Sequence, residues 1–335
     1  MADEERTARL PEEPRSAAPV GVGRAAPSLH GIWVDLLLYP THSLPTAAAP
    51  VLVGLGLGAH GRVLAALPAL VGFVGSWFIH VAGVFADNHE LLRRHPDLPE
   101  HPELSHAIAL GTLKLSSLRW AIAGCLLVAL ATVPYLYRLG GTPVLAFGAV
   151  GIASSLCYHG WPFAYVRRGL ADPVFFLMFG VVAVAGTYYI QAASFAAPAD
   201  PWRLLLSLSP AAFVVGLPAG ALVTSVMLID DLRDRDFDSA KGWRTPTVRF
   251  GASFTRAEIG ILVCFAYLAP VLFWLALPFD AWVLLPLASA PLALATVKAV
   301  RSARRREELV PLTPRMARLA VIHSALLGLG LGLSR

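Results

Sequence analysis

Nine stretches of this chain are long enough and apolar enough to cross a lipid bilayer. No other feature narrows the possible folds as much. They fall at about residues 41–59, 64–86, 117–137, 142–159, 170–194, 204–229, 254–277, 280–299 and 316–334. Backbone in hydrocarbon has to satisfy its own hydrogen bonds, so repeated apolar runs of about 20 residues imply a bundle of membrane helices. Several runs contain Gly or Pro, which membrane helices tolerate. Composition agrees: 56% of the 335 residues are hydrophobic and 15% are charged, with a mean hydropathy of +0.62. A water-soluble protein of this size could not hide so much apolar surface. The expected fold class is therefore an all-α membrane protein, one continuous domain over residues 30–335.

Residues 1–29 are polar and rich in Pro, Ala, Arg and Glu, and read as a disordered cytoplasmic tail. No positive-then-apolar-then-small pattern starts at Met1, so no cleavable signal peptide is expected. Residues 30–40 suit a short helix lying in the membrane interface. Cys125, Cys157 and Cys264 are far apart in apolar runs, which argues against a disulfide frame or a metal site.

A net charge of +5 is compatible with a nucleic-acid partner, but its distribution follows membrane topology instead. Of the 27 Lys and Arg residues, nine spans put 23 on one side and 4 on the other. By the positive-inside rule the N-terminus is cytoplasmic. That makes the chain a multi-pass protein whose expected home is the bacterial cytoplasmic membrane. The run Arg304–Arg306 reads as a topology anchor meeting anionic headgroups.

Acidic residues concentrate in two inter-span loops on that basic side. One begins at the end of the second span, "DNHELLRRHPDLPEHPE" (87–103). The other follows the sixth, "DDLRDRDFD" (230–238). Laid together, Asp87 matches Asp230 and Asn88 matches Asp231, four spans apart, which hints at a duplicated four-helix unit. Asp230, Asp234 and Asp238 recur at i, i+4 and i+8, so on a helix they share one face, with Asp236 off it. Stacked like charges repel. A divalent cation such as Mg²⁺, shared between carboxylates and substrate phosphates, would relieve that repulsion. Arg233, Lys241 and Arg244 interleave with the acids, and either neutralise them or hold a phosphate.

Arg167 and Arg168 fit the topology bias or grip a diphosphate at the same mouth. Asp172 lies at the start of an apolar span, where an ionisable group is a functional candidate by default. His89, His95, His101 and His106 lack zinc-site spacing and read as loop histidines.

The segment "DDLRDRDFDSAKGWRTPTVRFG" (230–251) resembles the second aspartate-rich motif of the UbiA superfamily of intramembrane prenyltransferases. Asp230, Arg233, Asp234, Asp238, Gly242, Arg244, Thr245 and Gly251 carry the match. Residues 158–191 and 39–58 look like the menaquinone-branch 1,4-dihydroxy-2-naphthoate polyprenyltransferases. The resemblance covers residues 39 to about 330 and implies a nine-helix intramembrane bundle. It also implies two Mg²⁺ ions between two Asp-rich motifs, holding the diphosphate of a polyprenyl donor. Ionisation leaves an allylic cation that a small aromatic acceptor attacks.

On this reading the catalytic and metal set is Asp87, Asn88, Asp230, Asp234 and Asp238, joined at the metals by Glu90 and Asp97. Arg167, Arg168, Arg233, Lys241 and Arg244 grip the diphosphate. Asp172 and Tyr158 serve the acceptor or act as base. Trp77, Phe78, Tyr158, Trp161, Tyr188 and Tyr189 are candidate cavity aromatics. The first motif departs from the family pattern: Asp and Asn are exchanged at 87–88, and Leu91 replaces the next aspartate, with Glu90 beside it as a substitute oxygen. An intramembrane terpene cyclase and a non-catalytic paralogue therefore stay open as alternatives.

Overall fold

A computed structural model describes residues 43–94, 108, 113–158, 160 and 162–334. The 1–29 tail, the 30–40 interfacial segment, Asp97, His95, His101, His106 and Trp161 lie outside the described residues. The described residues form helices α1 (Ser43–His60), α2 (Ala66–Arg94), α3 (Leu115–Gly140), α4 (Thr142–Leu156), α5 (Ala171–Ala196), α6 (Ala211–Arg233), α7 (Ala252–Ala276), α8 (Ala281–Ser302) and α9 (Arg306–Leu333). Eight are long and apolar enough to cross a membrane, so the protein is an integral membrane bundle. The exception is α4, with 15 residues. At 1.5 Å per residue it rises about 22 Å, short of a hydrocarbon core of about 30 Å. It stops at Leu156 because the chain turns back there to build one rim of the site: Tyr165 and Val166 donate backbone N–H groups to Cys157 O and Tyr158 O at 3.1 and 3.2 Å.

Helix α6 is the most enclosed, with nearly every side chain from Pro218 to Leu232 buried. Glycines let its neighbours approach. A Cβ on Gly216 would lie 2.2 Å from Gly180 O, and one on Gly220 would lie 2.5 Å from Phe176 O. Without a hydrophobic drive between helices in lipid, such small-residue crossings supply the packing contacts. Gly180 sits in a π-helical turn, Met178–Val182, that interrupts α5. Turns of this kind displace the side chains around them and recur at functional sites. By contrast α3 presents Trp120, Leu127 and Leu130 outward, as a lipid-facing helix should.

Candidate active site

A cavity of about 410 Å³ runs into the bundle, walled by residues of α1 to α6 and of the segments after α4 and α6. Helices α7 to α9 contribute no lining residue; α7 and α9 pack against α6, and α9 also packs along α1. The two acidic loops, far apart in sequence, open onto this one space: Asp87 and Asn88 from α2 face it, as do Asp230, Asp231, Asp234 and Asp238.

The second acidic segment is not the single helix that its i, i+4, i+8 spacing suggests. Helix α6 ends at Arg233, Asp234 takes φ −102° and ψ 10°, and a short helix, Arg235–Ala240, follows. The helical period nevertheless carries across the break. Asp234 N donates to Asp230 O at 2.8 Å and Asp238 N to Asp234 O at 2.9 Å. The three carboxylates therefore still reach the same cavity, while Asp236 is exposed.

Several other motif residues serve the fold instead. Gly242 and Gly251 have φ of 71° and 88°, the left-handed region that favours glycine. Thr245 caps the helix Pro246–Phe250 by accepting from Val248 N at 3.4 Å. These turns bring the chain back so that Trp243, its N–H donating to Asp238 O at 2.9 Å, completes the cavity rim.

Each of the three aspartates has a cation beside it. Arg233 contacts Asp230 at 2.5 Å and both oxygens of Asp234 at 3.0 Å. Arg306 reaches Asp234 at 3.1 Å, and Lys241 reaches Asp238 at 3.2 Å. Thr313 donates to Asp230 at 2.8 Å. Lys241 also sits 3.7 Å over the Trp243 ring, a cation–π contact that fixes the ammonium beside the rim. The role expected of Arg306 changes here: beyond anchoring topology, it is a partner of Asp234.

The remaining arginines differ in placement. Arg167 meets Glu90 at 3.3 Å and lies 5.7 Å from the Trp243 ring centre. Burial, then the nearby Arg94, pulls its pKa down. Arg168 and Arg244 are exposed and do not line the cavity.

The first motif is thinner. Asn88 is buried, and its amide donates to Val84 O at 2.9 Å. Glu90 does not line the cavity; Arg93 at 3.0 Å, Arg94, and Arg167 hold it. This geometry gives Glu90 an ion-pairing role in place of the substitute metal oxygen suggested by sequence. Leu91 is 6% exposed and also turned away from the cavity. Restoring the family's acid there would bury a charge with no built partner. Leu91→Asp is therefore expected to destabilise the protein by several kcal/mol without raising activity. Thermal unfolding in detergent measures this, and an unchanged midpoint would refute it.

Asp172 does not line the cavity, and its Oδ1 is buried without a hydrogen-bond partner. Tyr158 lines the cavity. Burial first, and then the carboxylates of Asp231, Asp238 and Asp230, raise its phenol well above the ordinary range. That shift favours the protonated phenol, and of the two parts expected for Tyr158 it favours contact with the acceptor over action as a base.

Of the expected aromatics, Tyr158 and Tyr189 line the cavity, whereas Trp77, Phe78 and Tyr188 do not. Trp77 and Phe78 pack in the core between α2 and α3. Phe175 and Phe179 take their place. A rail of rings runs inward from the mouth: Tyr158 to Phe175 at 5.7 Å, Phe175 to Phe179 at 5.4 Å, and Phe179 to His80 at 6.0 Å.

Sequence reasoning also passed over Asp231, which is 6% exposed, lines the cavity and keeps a buried Oδ2 without a hydrogen-bond partner. Its alignment with Asn88 was the available signal. Among the described residues no group of three Asp, Glu, His or Cys side chains is arranged to hold a metal by itself. The donors are nonetheless hard oxygens facing one cavity, and the orphaned oxygen of Asp231 is unusual for a buried carboxylate. That set fits Mg²⁺, which commonly draws its other ligands from substrate phosphates and water.

The sequence pattern of the UbiA prenyltransferase family matches residues 47–311. A 1,4-dihydroxy-2-naphthoate octaprenyltransferase of Mycobacterium tuberculosis is 31% identical over 281 residues, covering 80% of this chain and 86% of that protein. Its namesake in Escherichia coli is 26% identical over 322 residues, covering 90% and 96%. A 2-carboxy-1,4-naphthoquinone phytyltransferase of Synechocystis is 27% identical over 164 residues, 49% of each chain. Among solved structures, one from work on digeranylgeranylglyceryl phosphate synthase in membranes superposes with a TM-score of 0.52. At 12% identity, covering 89% of this chain and 96% of that one, it bears on the fold alone. A membrane bundle with two acidic segments on one cavity, matched by the family pattern along most of its length, identifies the chain as a member of the UbiA prenyltransferase family.

Proposed function

We propose that the protein transfers a prenyl group from a polyprenyl diphosphate to 1,4-dihydroxy-2-naphthoate or a similar aromatic quinone precursor within the membrane. The observation that carries this is the convergence of both acidic segments on one mostly apolar cavity. The names of the relatives supply the acceptor class. The excess of Lys and Arg on the acid-bearing side supports a mouth facing the cytoplasm of a bacterium.

A mouth lined by Asp87, Asp230, Asp231, Asp234 and Asp238 repels a diphosphate unless positive charge stands between. Arg233, Lys241 and Arg306 provide part of that charge. Mg²⁺, expected as two ions held by Asp87, Asn88, Asp230, Asp234 and Asp238, would supply the rest and neutralise the departing diphosphate.

The protein's own groups do the remaining work. Arg233 keeps Asp230 and Asp234 oriented toward the mouth. The apolar walls exclude water from the allylic cation left when the C–O bond breaks. The ring faces of Tyr158, Phe175 and Phe179 flank the entry and favour that cation. The Tyr158 phenol, held protonated, donates a hydrogen bond to an acceptor oxygen.

Membranes containing the protein, given labelled octaprenyl diphosphate, naphthoate acceptor and Mg²⁺, should form a prenylated naphthoate. EDTA should remove the activity and Mg²⁺ should restore it. A hydrocarbon or alcohol formed without acceptor would defeat the transferase reading, as would the absence of diphosphate release under every condition.

A further inference from the structure

A second concave site opens on the flank of the bundle, at the acid-bearing end but separate from the cavity. Ser253, Arg256 and Ala257 from the first turns of α7 form one side, and Arg301 in the last turn of α8 and Arg304 just beyond it form the other. None of these five lines the cavity. The guanidinium of Arg256 is fixed in place: Nε donates to Val300 O at 3.2 Å and Nη2 to Ala303 O at 2.8 Å. Arg304 Nη1 donates to Arg301 O at 2.8 Å, and Arg301 lies along α7, close enough that a Cβ on Gly260 would sit 2.9 Å from its Nη2.

Among the described residues no carboxylate pairs with the side chain of any of these three arginines. Glu308, four residues after Arg304, is engaged with Arg305 at 2.8 Å and with the backbone N–H of Arg304 at 2.8 Å. Three positive side chains held together without a counter-charge repel one another, and a bound anion removes that cost. Arginine forks match phosphate oxygens. The helices that carry them continue into an outward apolar face, with Ile261, Leu268 and Leu294 at least half exposed.

We infer that this cleft is a binding site for the phosphate of an anionic membrane lipid. The headgroup sits among Arg256, Arg301 and Arg304, and the acyl chains lie along the outer face of α7 and α8. Basic pockets between membrane helices at the headgroup level take such ligands, and a free phosphate would share the polar chemistry without using the apolar face. The site is independent of the prenyl-transfer reading.

Native mass spectrometry of the full chain in detergent tests it, with phosphatidylglycerol, phosphatidylcholine and inorganic phosphate as probes. Wild type should retain phosphatidylglycerol over phosphatidylcholine. The double variant Arg301→Gln/Arg304→Gln should lose that retention by about tenfold. Arg301→Lys/Arg304→Lys should recover part of it, and prenyl transfer in detergent should be unchanged in both. Equal retention of the two lipids, or undiminished phosphatidylglycerol binding in the Gln variant, would overturn the site. Displacement by millimolar inorganic phosphate as effective as by phosphatidylglycerol would assign it to soluble phosphate and defeat the lipid reading. If the Gln pair fails to fold, the single variant Arg301→Gln, at an exposed position, carries the same comparison.

Discussion

Asp234→Asn is expected to abolish prenyl transfer while leaving the bundle folded. Asp234 is 5% exposed and stands between two arginines, Arg233 and Arg306, at the cavity mouth. The amide keeps the volume and one acceptor oxygen, so packing and at least one arginine contact survive. What it removes is the charge. A ligand that draws a divalent cation toward the diphosphate is lost, and two guanidinium groups lose the charged carboxylate that they share. Removing a single preorganised electrostatic contact from an active site costs about 10²–10³-fold in kcat, and a loss at the upper end of that range or beyond is expected here. Truncation to alanine is a worse test, because an uncompensated buried charge costs about 3–5 kcal/mol of stability and confuses unfolding with chemistry. Asp236→Asn is the internal control, two residues away but exposed and outside the cavity. If Asp234→Asn turns over within twofold of wild type, with an unchanged unfolding midpoint, Asp234 is not in the diphosphate site.

The two halves of this site were not equally readable in the sequence. The apolar spans were plain because lipid leaves the backbone no other way to satisfy itself, and α4 was overdrawn because Cys157 and Tyr158 look as apolar as the helix before them. The aspartates of the second segment stood out because charge is costly at the end of an apolar run. Arg306 did not, because a basic run at a helix end looks the same whether it meets headgroups or a carboxylate 72 residues away. Asp231 was passed over because a single-face argument keeps Asp230, Asp234 and Asp238 and discards their neighbour. The cavity wraps far enough round the end of α6 to take both. Glu90 shows the converse: one residue from Leu91 in sequence, it was a reasonable substitute ligand, yet Arg93 and Arg94 one turn on along α2, and Arg167 brought in from 77 residues away, hold it. Charge density located the mouth, and tertiary pairing decided which charges face it.

The depth of the cavity leads to a second large effect, on donor length. Gly148 of α4 lines the cavity, and a Cβ built there meets nothing within 4 Å. It lies eight residues before Leu156, about 12 Å of helix rise from the rim-side end of α4. Gly148→Phe therefore projects a ring into open space partway down the path, without a clash that would unfold the protein. Donors short enough to end above the ring keep their contacts with the rim and the acids. Longer ones have to bend around it, and forcing extra groups into an occupied space costs about 1–3 kcal/mol, or about 5- to 150-fold in kcat/KM. Assayed with a donor series from geranyl to octaprenyl diphosphate, the variant should match wild type at the short end and fall away beyond a definite length. Gly124→Phe is the matched control, since a Cβ there also meets nothing within 4 Å but the residue is outside the cavity. A uniform loss across the series would mean that the ring disturbs the site generally, and no loss at any length would mean that the prenyl chain does not run past Gly148.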